Sequence, residues 1–300
     1  MLSDQLPALL EGDFRTLARL ISAVENAHPG YEALLEQLPS DHATRVVGLT
    51  GPPGAGKSTV ADGLIAGWLA QEKKIAVLAV DPSSPFHRGA LLGDRVRMAR
   101  HYNDPRVFIR SLASRGSLGG THPEMIGIST LVAAAGFDYL LIETVGVGQS
   151  EVEIAALADT TVVVLVPESG DEIQTMKAGL MEIADIFVVN KSDHGYADDF
   201  ARNLRNLVGK KRDHGWAIPV IKTIATTEEG IGTLQEKIEA HAIHAKQNTV
   251  LAIRLLAQKA ARLIQTQRMQ DISIAMLETQ IKKEKEKGRF NLYRFAEKFK

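Results

Sequence analysis

Gly51-Pro52-Pro53-Gly54-Ala55-Gly56-Lys57-Ser58 fulfils the spacing GxxxxGK[ST], and Thr59 continues it. Residues of these types at this spacing bind phosphate. Glycines let the backbone curl so that successive N–H groups of Gly54, Ala55, Gly56, Lys57, Ser58 and Thr59 point inward at phosphate oxygens. A helix starting near Lys57 adds the positive end of its dipole. The Lys57 ammonium is expected to reach the β and γ phosphates, and the Ser58 hydroxyl to ligate Mg²⁺. The motif by itself does not choose between ATP and GTP.

The base is read from Asn190-Lys191-Ser192-Asp193, an NKxD pattern. Guanine presents two adjacent donors, N1–H and the exocyclic amine, and one carboxylate accepts both. Asp193 is assigned that task. Adenine would face Asp193 with a lone pair and leave buried polar groups unpaired, which a site built on hydrogen bonds rejects strongly. Asn190 is expected to bond the purine edge and tie loops together, with the Lys191 stem over the base plane. Ala225 is a weaker candidate to offer a backbone N–H to the guanine oxygen.

Three acids are candidate Mg²⁺ ligands. Asp81 and Glu143 each end an apolar run, and Asp94 lies in Gly93-Asp94-Arg95. Mg²⁺ takes oxygen ligands, commonly one or two carboxylates with water. Each acid has an alternative as a helix cap or surface turn. Gly146, in Glu143-Thr144-Val145-Gly146, resembles a γ-phosphate-sensing glycine with Glu143 in place of Asp. The next residue is Val147, where Ras-like enzymes commonly carry a water-orienting Gln. A valine cannot hydrogen-bond water, so intrinsic hydrolysis is expected to be slow. Gln149, Lys177 and Arg97 are possible substitutes, placed when a partner binds. In Pro167–Glu172, Asp171 with Lys177 is either a switchable ion pair or part of an ordinary helix start.

These residues need a scaffold that brings them to one edge. Val46–Thr50, Ile75–Val80, Val107–Arg110, Tyr139–Ile142, Thr161–Val166, Ile186–Val189 and Val220–Thr223 are short apolar runs separated by helical patterns. Most lack polar alternation, as strands buried on both faces do. The pattern predicts an α/β fold with a doubly wound, mostly parallel sheet, whose ligands sit beyond the strand C-termini. Residues 1–44 read as a helical N-terminal extension, with Leu6 to Ile21 at helical spacing and Tyr31 to Leu38 as a second short helix. Residues 45–245 form the P-loop domain. Residues 246–300 read as helices, and from Ile281 onward they carry eight Lys or Arg against three Glu.

Composition narrows the rest. The 300 residues are 45% hydrophobic and 24% charged, which is globular, and the formal net charge of −1 gives no field that recruits nucleic acid. Absence of cysteine excludes disulfides, thiolate zinc sites and cysteine nucleophiles. No secretory leader and no run of about 18 apolar residues is seen, so a cytoplasmic protein without membrane or nucleic-acid partners is expected.

Val80-Asp81-Pro82-Ser83-Ser84-Pro85, Leu92–Met98, Ser114–Gly120, Glu143-Thr144-Val145-Gly146-Val147-Gly148-Gln149-Ser150-Glu151 and Gly170–Gln174 follow the phosphate loop in order. Together they resemble the MeaB/ArgK family of SIMIBI-class P-loop GTPases. The resemblance implies hydrolysis of GTP to GDP and phosphate by a homodimeric G-protein chaperone. Its client would be the adenosylcobalamin-dependent methylmalonyl-CoA mutase or a related acyl-CoA mutase, whose cofactor loading it gates and which it protects. By position, Ser58, Asp81, Asp94 and Glu143 match the family's Mg²⁺ site, Asp171 and Lys177 a third switch loop, and the helical C-terminus a dimerisation arm. Lys57, Glu143, Gln149 and Lys177 are the candidate catalytic groups. Two alternatives are a GTP-dependent metallochaperone and a transport-system kinase. A metallochaperone usually carries Cys or His clusters, and here only His241 and His244 stand three apart, as a metal pair or a surface pair. The kinase is opposed by NKxD.

Overall fold

The computed structural model describes residues 2–39, 42–81, 98–113, 124–144, 153–167, 178–209, 215–269, 271–286, 288 and 290–299. The chain divides into two compact units, Met1–Leu256 and Ala257–Lys300.

The first unit is built on strands β1 (Arg45–Thr50), β2 (Ile75–Asp81), β3 (Val107–Ala113), β4 (Tyr139–Glu143), β5 (Thr160–Leu165), β6 (Ile186–Val189) and β7 (Val220–Lys222). They form one seven-stranded sheet in the order β3-β2-β4-β1-β5-β6-β7, and every pairing is parallel. All seven apolar runs of the sequence are strands. Every residue of β4, β5 and β6 is buried, because helices cover both faces and leave no polar side to alternate.

Helices α1 (Leu6–Leu10), α2 (Phe14–Glu25), α3 (Tyr31–Leu35), α4 (Lys57–Ala70), α5 (Met125–Ala134), α6 (Ala178–Ile183), α7 (Ala197–Val208) and α8 (Ile231–Gln247) surround the sheet. On one face, Val46, Leu78, Leu140 and Ile142 meet α5 through Ile128 and Leu131, and meet the N-terminal helices through Leu17, Leu20 and Val24. On the other, Val47, Leu49, Val77 and Leu141 meet α4 through Leu64 and Ile65 and α8 through Leu234 and Ile238. Adjacent Val46 and Val47 thus enter opposite cores, as the two-residue period of a strand requires. Toward the β6 side, Val163, Phe187 and Val189 pack on Phe200 and Leu204 of α7.

The helical period expected from Leu6 to Ile21 is interrupted. Gly12 takes φ +82° and Asp13 caps α2, its carboxylate accepting from the Thr16 N–H at 2.8 Å. A left-handed glycine followed by a capping aspartate starts a new helix rather than continuing the old one. The second short helix ends at Leu35 rather than Leu38. These N-terminal helices are structural, since Leu9, Leu17, Leu20, Ile21 and Leu34 are fully buried.

The second unit, Ala257–Lys300, is helical and contains the end of α9 (Thr249–Met269), then α10 (Ile274–Glu286) and α11 (Leu292–Ala296). Its small centre is Phe295, in ring contact with Phe290 (5.7 Å) and Phe299 (5.3 Å), with Lys298 above it and paired to Glu284 at 3.1 Å. Among the described residues no helix is long and apolar enough to cross a membrane.

Leu20→Ala removes a fully buried side chain from the interface of α2 with the sheet and is expected to cost about 2–5 kcal/mol in urea unfolding. A loss under about 1 kcal/mol would place the N-terminal helices outside the core.

Candidate functional site

The C-terminal ends of β1, β4, β6 and β7 converge because all run in one direction. β1 passes directly into the phosphate loop. Gly51 takes φ +139°, and a Cβ there would run into the Val164 carbonyl of β5. Gly54 (φ +78°) and Gly56 (φ +86°) complete a curl of left-handed residues that ends at the first residue of α4. The first-turn amides of a helix have no acceptor one turn back and therefore face outward along the axis. Lys57 is buried, and its ammonium donates to the Gly51 and Pro52 carbonyls at 2.9 and 3.0 Å. That position inside the ring of the loop is where a phosphate chain would meet it.

Ser58 and Glu143 are brought together from elements far apart in sequence. The register places Glu143 beside Leu49, one residue before the end of β1. The Ser58 hydroxyl donates to Glu143 Oε1 at 2.6 Å, with both residues buried (3% and 5% exposed). This short hydrogen bond fixes the Ser58 hydroxyl oxygen and Glu143 Oε1 relative to each other. Two hard oxygen donors converging beside a phosphate loop suit Mg²⁺ chemically. Asp81 closes β2, two residues beyond Ala79, which pairs with Glu143. The Asp81 side chain lies outside the described residues, as do Asp94, Arg97, Gly146, Val147, Gln149, Asp171 and Lys177.

Asn190 lies one residue past β6 and is hydrogen-bonded through both its backbone and its side chain. Its backbone N–H donates to Leu165 O (2.8 Å) and its side-chain amide to Ala55 O in the phosphate loop (2.9 Å). Its carbonyl oxygen accepts from the Thr223 hydroxyl (3.0 Å) and the Ala225 N–H (3.2 Å). The loop-tying part of its expected task is therefore visible. The Ala225 N–H expected to reach guanine is already given to Asn190, so a guanine oxygen would have to share it. A Cβ on Gly56 would fall on the Asn190 amide nitrogen, which accounts for glycine there.

Lys191 takes φ +56°, turning the chain so that Ser192 N–H donates to Thr223 O (3.0 Å) while its hydroxyl holds Val189 O (2.7 Å). This carries Asp193 and Lys191 outward, both exposed. Thr223 was not singled out by the sequence. It follows a strand as an ordinary β-branched residue, and only its hydroxyl contact with Asn190 reveals its part.

The two histidines of α8 are not a surface pair. His241 is 2% exposed, and its Nδ1 lies 2.8 Å from the Thr160 hydroxyl. Its Nε2 lies 3.5 Å from Asp185, and Trp216 packs edge-on against the ring. Among the described residues no cluster of three or more His, Cys, Asp or Glu is placed to hold a metal ion.

The family model described as methylmalonyl Co-A mutase-associated GTPase MeaB matches residues 17–280. The chain belongs to the MeaB family. A protein of Pyrococcus abyssi named as a GTPase is 48% identical over 246 residues, covering 80% of this chain and 76% of its own length. The fused isobutyryl-CoA mutase of Geobacillus kaustophilus is 36% identical over 249 residues, which are 78% of this chain and 23% of that protein. Among solved structures, one titled LAO/AO transport system kinase aligns with TM-score 0.69 and 25% identity, over 99% of this chain and 96% of that one. The chain is a GTP-hydrolysing enzyme of the P-loop class that binds guanine nucleotide.

Asn190→Ala removes the side-chain bonds that join the phosphate loop to the ends of β6 and β7. It is expected to lower stability by about 2–3 kcal/mol without any nucleotide present, since buried partners lose their acceptor or donor. Urea unfolding of the nucleotide-free protein measures this. An unchanged midpoint would mean that the loops are held by other contacts.

Proposed function

We propose that this protein is a Mg²⁺-dependent GTPase chaperone of an adenosylcobalamin-dependent acyl-CoA mutase, methylmalonyl-CoA mutase or a close relative. It gates cofactor loading and protects the mutase from inactivation. The observation that carries the reading is the relative from Geobacillus kaustophilus, in which a segment similar to this chain is part of a fused isobutyryl-CoA mutase. Fusion makes permanent an encounter that separate chains reach by binding.

In this reading, Asp193 accepts the two donors of the guanine edge, and the Lys191 stem covers the base. The backbone of Gly54–Thr59 and the Lys57 ammonium hold the phosphates. Water attacks the γ-phosphorus, the bond to the β–γ bridging oxygen breaks, and GDP takes the negative charge that develops there. Lys57 and the loop amides stabilise that charge without reorganising. Ser58 and Glu143, with Asp81 and Asp94, would hold Mg²⁺, which when bound neutralises charge across the β and γ phosphates. Gly146 is assigned to the γ-phosphate. Val147 leaves the attacking water unoriented, so Gln149 or Lys177 supplies that role once the mutase is bound. Segments 81–98, 143–151 and 167–177 are the switches whose state follows the γ-phosphate.

A homodimer through residues 246–300 belongs to the same proposal. Val250, Ile253 and Leu256 stand at one-turn spacing on α9 and are 67%, 61% and 65% exposed. α9 has no buried residue along its 21 positions. An apolar stripe on a helix without a core of its own is supported by a second copy covering it.

The direct test is steady-state GTP hydrolysis with and without purified methylmalonyl-CoA mutase, and with ATP in parallel. A slow, GTP-selective rate that rises on adding mutase is expected. A rate indifferent to this mutase and to isobutyryl-CoA mutase would remove the client assignment while leaving the GTPase. Asp193→Asn is expected to erode the preference for GTP over ATP by at least about tenfold, the order of one lost charged hydrogen bond. Unchanged selectivity in that variant would overturn the assignment of the base.

A further inference from the structure

The chain leaves β2 at Asp81, and residues 98–101 follow the segment assigned above to a switch. Met98 is buried against the α4 side of the sheet, and Ala99–His101 form one 3₁₀ turn. From this turn Arg100 grips two other elements at once. Its Nε donates to Asp62 Oδ1 at 3.0 Å, and its Nη2 lies 2.7 Å from Asp62 Oδ2. The same Nη2 donates to Glu228 Oε1 at 3.0 Å. His101 Nε2, on a buried ring, lies 2.9 Å from Asp62 Oδ1.

Both grips lead to the nucleotide site. Asp62 is in the second turn of α4, whose first turn begins at Lys57. Glu228 closes the short turn Ala225–Thr227, and its own N–H donates to Ala225 O at 3.3 Å. Glu228 takes φ +61°, a left-handed backbone that a residue with a side chain adopts only when its surroundings hold it there. The contact that meets its carboxylate is the Arg100 guanidinium. Ala225, at the other end of this turn, donates to Asn190. One guanidinium therefore connects the exit of segment 81–98, the helix behind the phosphates and the turn beside the base loop.

We propose that Arg100 is a positioning residue for guanine nucleotide. Through Glu228 it holds the Ala225 turn against Asn190, and through Asp62 it ties that turn to α4. No contact with phosphate or base is assigned to it. Its consequence is that the grip on guanine depends on how the end of segment 81–98 is seated, which links switch state to nucleotide release. The proposal rests on the assignment of Asn190, Asp193 and Ala225 to the base.

The test is stopped-flow release of mant-GDP from the full-length protein carrying Arg100→Ala, Glu228→Gln, or both. Each single substitution is expected to speed release about threefold to fivefold, the upper range for a half-exposed ion pair. The double variant is expected to be no faster than the faster single, because both remove one contact. Single-turnover hydrolysis at saturating GTP is expected to change less than twofold, which separates positioning from a general loosening of the fold. Glu228→Gln preserves shape and leaves the Arg100–Asp62 pair intact, so it keeps the test decisive where Arg100→Ala fails to fold. Wild-type release from Glu228→Gln, effects that multiply in the double variant, or release and hydrolysis deteriorating together would each overturn the proposal. Asp193→Asn measured alongside separates the two assignments. If it retains guanine preference, the base assignment fails. If it loses that preference while Glu228→Gln releases GDP normally, only the role of Arg100 fails.

Discussion

A single buried carboxamide makes one surface out of three loops. Asn190 donates into the phosphate loop and accepts from the end of β7 and the turn beyond it. Only a side chain with a donor and an acceptor on one carbon can do this; aspartate would lose the donor and leucine both. The sheet supplies the precondition. Because every strand is parallel, the loops leave from one edge, and β6 is short enough to place Asn190 level with the phosphate loop. Gly56 then has to be glycine, since the amide occupies the space of a side chain.

The start of α4, beside the phosphate loop, obeys a second constraint. Ser58 and Glu143 are held against each other away from water. Their approach follows from β1 and β4 being neighbours, although their chain positions are far apart. Positioning is thus largely provided by rigid strands and a helix start, and the chemistry of a phosphoryl transfer asks mainly for positioning and charge. At Val147, where Ras-like enzymes commonly carry a water-orienting glutamine, the side chain cannot hydrogen-bond water.

Much of this was legible in the sequence because it is local. The strands are uninterrupted apolar runs, and GxxxxGK[ST] and NKxD are contiguous motifs whose residues must act together. Other features are not contiguous and left no local trace. The Thr223 hydroxyl, the Arg100–Asp62–Glu228 bridge and the burial of His241 arise from contacts across the sheet or between loops. His241 in particular reads as one of two exposed histidines, and only packing of α8 on the start of β5 puts it inside. The break between α1 and α2 was encoded by Gly12-Asp13 but masked by hydrophobic spacing that runs through it, since the period of a helix survives a short interruption.

The N-terminal helices have a consequence for how the chain is made. Gly127 of α5 is tightly approached by Val24 and Leu35, which a Cβ at that position would disturb. Those partners are synthesised about a hundred residues apart, so at ordinary translation speeds the apolar face of α2 waits several seconds or more for its cover. During that interval it is a sticky amphipathic segment on a growing chain. Leu17, Leu20 and Val24 of α2 therefore stay uncovered until α5 has been synthesised.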